Sequence, residues 1–176
     1  MTLRDGSRVN LRPIRPDDDR ALIELFKHLS PLSVYQRFFA ALPELPPEMA
    51  WKLSHVNYTN RMAIVAETEA GANGSKPEIV GVARYDRSDD PGVAELGLAV
   101  ADEWQGRGLG RILIRELMKA AERNGINRFT ADVLADNRRM LHLLATEMKI
   151  ASVKSSGGVT TLMLRLARGT EGAGVF

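Results

Sequence analysis

Apolar positions along the chain change period several times, and each change marks an element. Val9 and Leu11 alternate with polar neighbours between Arg8 and Arg12, which predicts a short strand. Pro16 followed by Asp17, Asp18 and Asp19 predicts a helix start, because carboxylates favour the positive end of a helix dipole. Leu22, Leu25, Phe26 and Leu29 continue at helical spacing until Ser30-Pro31 stops them. A second helix is predicted over Pro31 to Phe39, and a third opens at Pro46-Pro47-Glu48 with Met49, Leu53 and Val56 on one face. The period then shortens. Met62 to Glu67, Ile79 to Tyr85 and Val93 to Val100 read as strands. They are joined by a loop at Gly71 to Pro77 and a turn at Ser88 to Gly92, which suggests an antiparallel meander.

Gly108 to Asn124 predicts a long helix with Leu109, Ile112, Leu113, Leu117, Ala120 and Ala121 on one face and Gly125 as its C-terminal cap. A strand at Phe129 to Leu134 and a helix at Asn137 to Met148 follow. Ile150 to Val153 and Val159 to Leu166 then form a hairpin around Ser155-Ser156-Gly157-Gly158. The order gives an α+β fold: a mixed, mostly antiparallel twisted sheet of about seven strands flanked by helices.

Composition narrows the picture. The 176 residues, 44% of them hydrophobic, suit one domain, expected over residues 1–168, with residues 169–176 as a tail. No stretch reaches 18 uninterrupted apolar residues, and the N-terminus lacks the apolar core of a secretory signal, so a membrane partner is not expected. The absence of cysteine excludes a disulfide scaffold, a thiolate nucleophile and a cysteine zinc site, and fits a reducing cytoplasmic setting. His28, His55 and His142 are too dispersed for a local metal motif; packing or surface roles are expected for them, and no metal. The 24 basic and 22 acidic residues are intermixed, which argues against a nucleic-acid partner. One segment departs from balance: Gln105 to Arg128 holds six basic residues against Glu116 and Glu122, and so invites an anion.

That segment opens with Gln105-Gly106-Arg107-Gly108-Leu109-Gly110-Arg111, between a strand and a helix. Glycines admit a ligand close to the backbone, and the helix start adds partial positive charge, so a pyrophosphate site is one reading. A merely tight strand-to-helix turn is the other. The run is neither a Walker loop nor the dinucleotide G-x-G-x-x-G, since the third position of the latter is Arg111.

The stretch Leu98 to Gly110 resembles motif A of the GNAT superfamily of acetyl-CoA-dependent N-acetyltransferases, whose Q/R-x-x-G-x-G/A pattern is filled by Gln105, Gly108 and Gly110. Leu3 to Gly6, Ile14 to Asp18, Leu29 to Pro31, Arg37 to Phe39 and Gly81 to Tyr85 are similar to the acetyltransferase domain of bacterial Pat-type protein-lysine acetyltransferases, also found fused to some acyl-CoA synthetases. The resemblance covers about Thr2 to Leu166 and implies the GNAT fold. The regulatory or synthetase-like domain that often accompanies the Pat type is not among these residues.

The resemblance implies a division of labour. The backbone of Gly106, Arg107, Gly108, Leu109, Gly110 and Arg111 takes the pyrophosphate of acetyl-CoA, with the Arg107 and Arg111 side chains as additional charge partners. The CoA arm pairs with Leu98, Ala99 and Val100, and the Val100 amide faces the thioester oxygen. Glu95, in the run Val93-Ala94-Glu95-Leu96, corresponds to the general base, its pKa expected to be raised by apolar surroundings; a solvated carboxylate is the alternative, and Glu67 and Asp132 are weaker candidates. Asn137 resembles an asparagine that bonds the CoA arm, or is an ordinary helix N-cap. Many relatives carry a tyrosine acid where this chain has Leu144, so no general acid is identified. Tyr35, Phe38, Phe39 and Trp51 fall where the family places acceptor-side walls or core, with Tyr58 and Tyr85 as further pocket candidates. The implied acceptor is a protein lysine, such as one on an acyl-CoA synthetase. A small amine, or acyl-CoA sensing without turnover, are the alternatives, and the chain is expected to be a monomer or homodimer.

Overall fold

A computed structural model describes residues 1–70 and 74–167 of the chain. The loop expected at Gly71 to Pro77 lies partly outside these residues, and the expected tail at 169–176 wholly so. Seven strands form one sheet: β1 (Val9–Pro13), β2 (Arg61–Thr68), β3 (Ile79–Arg87), β4 (Val93–Val100), β5 (Arg128–Leu134), β6 (Met148–Ser156) and β7 (Val159–Leu166). Their order is β1-β2-β3-β4-β5-β7-β6, antiparallel throughout except between β4 and β5. This is the mixed seven-stranded α+β architecture expected. The predicted strand at Ile150 begins earlier, at Met148, because β6 follows its helix with no intervening loop.

Period-two alternation gives the sheet two buried faces. Met62, Ile64 and Ala66 point to one side, with Tyr85, Leu96 and Phe129, while Ala63 and Val65 point to the other. The first face is covered by α4 (Leu109–Arg123), whose Leu109, Leu113, Ile114 and Leu117 are buried along one stripe, and by α5 (Arg138–Glu147). A 15-residue helix is marginal alone, so docking this stripe supplies most of its stability. The second face is covered by α1 (Asp19–Lys27), α2 (Pro31–Phe38) and α3 (Pro47–Ser54), through Leu22, Leu25, Phe26, Val34 and Ala50.

Local chemistry fixes the helix ends. Ser30 caps α2 by accepting from the Ser33 N–H at 3.2 Å, with Pro31 at the first helical position. Phe39, at φ 55°, turns the chain out of α2 and leaves Arg37 in its last turn, beside the sheet. Ahead of α1, Pro16–Asp18 forms a 3-10 turn instead of helix. Asp18 is nearly buried there and takes both terminal nitrogens of Arg12 at 2.7 and 2.8 Å. Burial pushes the Asp18 carboxyl up, but the Arg12 hydrogen bonds and the Arg15 N–H more than offset it and hold it below the usual range.

Candidate active site

The site follows from one departure in the sheet. β4 and β5 pair at only three positions, Val93 with Arg128, Ala94 with Phe129 and Glu95 with Thr130, and then separate. β4 continues to Val100 along β3, and β5 continues to Leu134 along β7. The opening between them is an open cleft of about 330 Å³, floored by Glu95 to Val100 and walled by Asp132 and Val133 of β5, Met140 and Leu143 of α5, and Arg37 and Phe38 of α2.

The edge of β4 facing this cleft carries free main-chain groups. Ala101 donates to the Val80 carbonyl across the β3–β4 ladder at 2.9 Å. Alternation then turns the amide and carbonyl of Leu98 and the amide of Val100 the other way, into the opening. The Val100 carbonyl accepts from the Gln105 side chain at 3.0 Å. That same amide group reaches the Ser33 hydroxyl at 3.2 Å and accepts from Arg139 at 2.9 Å. Gln105 thus ties the end of β4 to α2 and α5, the two helical walls of the cleft.

Beyond Gln105 the glycine run does more than turn the chain. Gly106 and Gly108 adopt φ 75° and 90°, which a side chain would resist. Among the described residues, no acceptor meets the N–H groups of Gly106, Arg107, Gly108, Leu109, Gly110 or Arg111, and the first intrahelical bond runs from Ile112 to Gly108. Six consecutive free amides at the start of α4 form a cradle for an oxyanion. The side chains of the run are otherwise occupied. Arg107 pairs with Asp5 at 2.8 Å and stacks over Trp104 at 4.9 Å. Arg111 and Arg115 both grip the nearly enclosed Glu147 side chain, at 2.7 and 2.6 Å, joining α4 to α5. Their charges therefore act on an anion from within existing pairs, and the backbone supplies the open donors.

Glu95 stands at the vertex where β4 and β5 part, on the sheet face that α2 covers. Its side chain is exposed to the cleft, not enclosed in apolar surroundings, because alternation places Ala94 and Leu96 on the opposite, buried face. Asp132 lines the same cleft and accepts from the Thr161 hydroxyl at 2.6 Å. Glu67 lies away from it, paired with Arg12 at 2.9 Å. Asn137 borders the cleft and also caps α5, its side chain accepting from Met140 N–H at 3.2 Å. Leu144 is fully buried in the main core.

Two pocket candidates are corrected. Tyr85 is fully buried, donating to the Thr59 carbonyl and accepting from Asn124, because the residues flanking Arg84 on β3 face α4. The Tyr58 hydroxyl is taken by the Ile14 carbonyl. The histidines have ordinary settings: His55 stacks on Trp51, His28 meets Glu103, and His142 is exposed.

One cleft residue carries no expectation from the sequence as a functional group. The Arg37 guanidinium lies flat on Gly97, where a Cβ would stand 2.8 Å from its Nη2. Burial, reinforced by the neighbouring Arg84, pulls its pKa down to about 10, so it stays charged at neutral pH. A glycine inside a strand marks close backbone approach, and that is the one signal the sequence offers for it.

This geometry is that of a known family. Residues 23–148 match the model of the acetyltransferase (GNAT) family. The chain belongs to the GNAT family. It is 33% identical over 142 residues to a Pseudomonas aeruginosa protein named as an acetyltransferase, covering 81% of this chain and 75% of that one. It is 28% identical to the acetyltransferase Pat of Mycolicibacterium smegmatis, of which it spans 42%, over 82% of its own length. Among solved structures, the GNAT domain of S. lividans Pat superposes with a TM-score of 0.81 at 29% identity, covering 94% of this chain and 95% of that domain. The splayed β4 and β5 and the amide-rich loop before α4 are thus parts of a GNAT acetyltransferase fold.

Proposed function

We propose that this GNAT acetyltransferase moves the acetyl group of acetyl-CoA to a lysine side chain on a protein, with Glu95 as general base. Three features fit the co-substrate. The six free amides from Gly106 to Arg111 would hold its pyrophosphate at the start of α4. The open edge of β4 at Leu98 and Val100 would pair with its amide-bearing arm. The cleft between β4 and β5 would receive the reacting end, with the Val100 amide as donor to the thioester oxygen. When bound, acetyl-CoA supplies an activated acyl carbon and a thiolate leaving group.

The chain's own residues do the rest. Glu95 takes a proton from the incoming ammonium, directly or through water, because an amine of reference pKa about 10.4 arrives protonated. Gln105 holds the end of β4 against α2 and α5, which fixes the distance between Glu95 and the Val100 amide. Leu144 lies in the core, so no side chain of α5 at that position donates to the leaving sulfur. A thiol with a pKa near 8.5 leaves adequately as the thiolate.

The observation that favours a protein acceptor is the shape and rim of the cleft. It is open along one side, and α2 beside it exposes Leu32 and Tyr35, with Phe39 just beyond. Exposed apolar residues on a helix that also walls an open site suit a macromolecular partner. A small cation would be better served by an enclosed, carboxylate-lined pocket.

The test compares kcat/KM for a folded protein acceptor such as an acyl-CoA synthetase, a lysine peptide cut from it, and a panel of small amines. The folded protein should exceed the peptide by an order of magnitude or more, because remote contacts orient the lysine. A small amine that surpasses the folded protein by orders of magnitude would replace the acceptor reading.

A further inference from the structure

Arg37 and Arg84 form a cluster that the acetyl-transfer scheme leaves unused. Arg84 on β3 is 4% exposed and sits across from Gly97 on β4. Its Nη1 donates to the Leu53 carbonyl at 3.2 Å, its Nε donates to Asp86 at 3.3 Å, and its Nη2 is buried with no partner among the described residues. Arg37 descends from α2 onto Gly97; its guanidinium lies 5.1 Å from the Phe38 ring centroid and forms no hydrogen bond among the described residues. Two guanidiniums are thus held close together at the cleft, Arg37 half-buried in its wall and Arg84 buried beside it with one donor left open. Buried cations are ordinarily paired or hydrogen-bonded, so an arrangement like this calls for an explanation.

The position of Gly97 supplies one. Glu95, Gly97 and Ala99 share one face of β4, two residues apart, so a guanidinium lying on Gly97 is about 7 Å along the strand from the Cα of Glu95. Arg37 lines the same cleft as Glu95. An amine reaching the edge of β4 near Leu98 and Val100 while in range of Glu95 must pass beside Arg37. A fixed positive charge next to an ammonium raises the free energy of its protonated form and leaves the neutral amine untouched.

We propose that Arg37, laid on Gly97 beside Glu95, disfavours the protonated form of an acceptor amine in the cleft and so presents that amine as a neutral nucleophile. This rests on the acetyl-transfer reading. In balanced form, the ammonium gives one proton to Glu95 or to solvent water. Its nitrogen lone pair then forms the N–C bond to the acyl carbon, and the C–S bond breaks with its electron pair leaving on sulfur. The second nitrogen proton goes to water, or to Glu95 where solvent has taken the first, and the thiolate takes up a proton from solvent. Arg37 exchanges no proton in this sequence.

The charges around Arg37 come from every neighbouring element. Arg84 and Asp86 face it from β3, with Asp86 shared with Arg61 of β2 at 2.7 Å. Glu95 acts on it from β4, while Asp132 of β5 and Arg139 of α5 line the same cleft. The carboxylates pull the amine toward its charged form and Arg37 opposes them. Gly97 is the residue that makes this possible, since any side chain there would push the guanidinium off the strand.

The test is the pH profile of kcat at saturating acceptor, which reports ionisations of the bound complex. It is run on wild type, Arg37→Gln and Arg37→Lys, with both a lysine-bearing protein and a small primary amine. Arg37→Gln should move the rising limb to higher pH by about one unit, which lowers kcat about tenfold below the limb while KM does not rise. Arg37→Lys keeps the charge and should keep the wild-type limb. An unmoved limb in Arg37→Gln, or a Lys variant that behaves like Gln, overturns the proposal. Should Arg37→Gln fail to fold, Gly97→Ala, which crowds the guanidinium away, is read in the same way. Transfer to the small amine alone would sink the protein-acceptor reading, and the limb shift measured with that amine would still decide the role of Arg37. Absence of transfer to any primary amine would sink both.

Discussion

Glu95→Gln is expected to lower kcat by about 10²–10⁴-fold while acetyl-CoA affinity stays nearly unchanged. The substitution keeps the shape of the side chain and removes its capacity to take a proton. Glu95 lies at the point where β4 leaves β5, with its side chain open to the cleft and no hydrogen bond among the described residues. No hydrogen bond is lost with the carboxylate, and beyond its charge facing Arg37 the effect should fall on chemistry. Asp132 shares the cleft, but its carboxylate already accepts from Thr161 on β7, which makes it a poor substitute base. Steady-state kinetics at saturating acetyl-CoA, with calorimetry of acetyl-CoA binding alongside, separate the two quantities. A variant that retains wild-type kcat at pH 7 would remove Glu95 from the mechanism.

The second large effect is expected at Gly108. Gly108→Asp should weaken acetyl-CoA binding by roughly a hundredfold or more, about 3 kcal/mol, with the protein still folded. Gly108 is the N-cap of α4 at φ 90°, so a side chain there costs about 1–2 kcal/mol of backbone strain. A new Cβ would meet only the flexible Arg4 side chain at 3.5 Å, an ordinary contact, so the loop can keep its course. The carboxylate, however, would stand among the free amides of Gly106 to Arg111 and compete for them with any incoming phosphate. Titration calorimetry reads the affinity and circular dichroism reads the fold. Unchanged affinity would place the pyrophosphate elsewhere.

Local patterning carries most of the fold. The alternation of Val93 to Val100 and the 3.6-residue stripe of Leu109, Leu113 and Leu117 are properties of one strand and one helix, and they survive in the structure with ends moved by a residue or two. The glycine run is equally legible, because positive φ at Gly106 and Gly108 is a local property of residues without a side chain. What the sequence does not display is non-local. The parting of β4 and β5 shows only in the partners each strand keeps, β3 along β4 and β7 along β5, which lie far apart in sequence. The capture of Arg111 and Arg115 by Glu147 joins positions 32 or more residues apart. At Glu95 the apolar neighbours in sequence suggest an enclosed carboxylate, yet those neighbours point to the other face of the sheet. Arg37 is invisible for the same reason: its meeting with Gly97 is made by the packing of α2 on β4, and a mid-strand glycine is its only trace.

Acetyl-CoA lying along the free edge of β4, with its pyrophosphate in the amide cradle before α4, is the placement on which every step above depends. Backbone hydrogen exchange with and without saturating acetyl-CoA tests that placement residue by residue. The expected result is slowed exchange at the amides of Gly106 to Arg111 and at Leu98 and Val100, with no slowing in β6 at the far edge of the sheet. Binding of acetyl-CoA that leaves exchange at Gly106 to Arg111 and Leu98 to Val100 unchanged would contradict it.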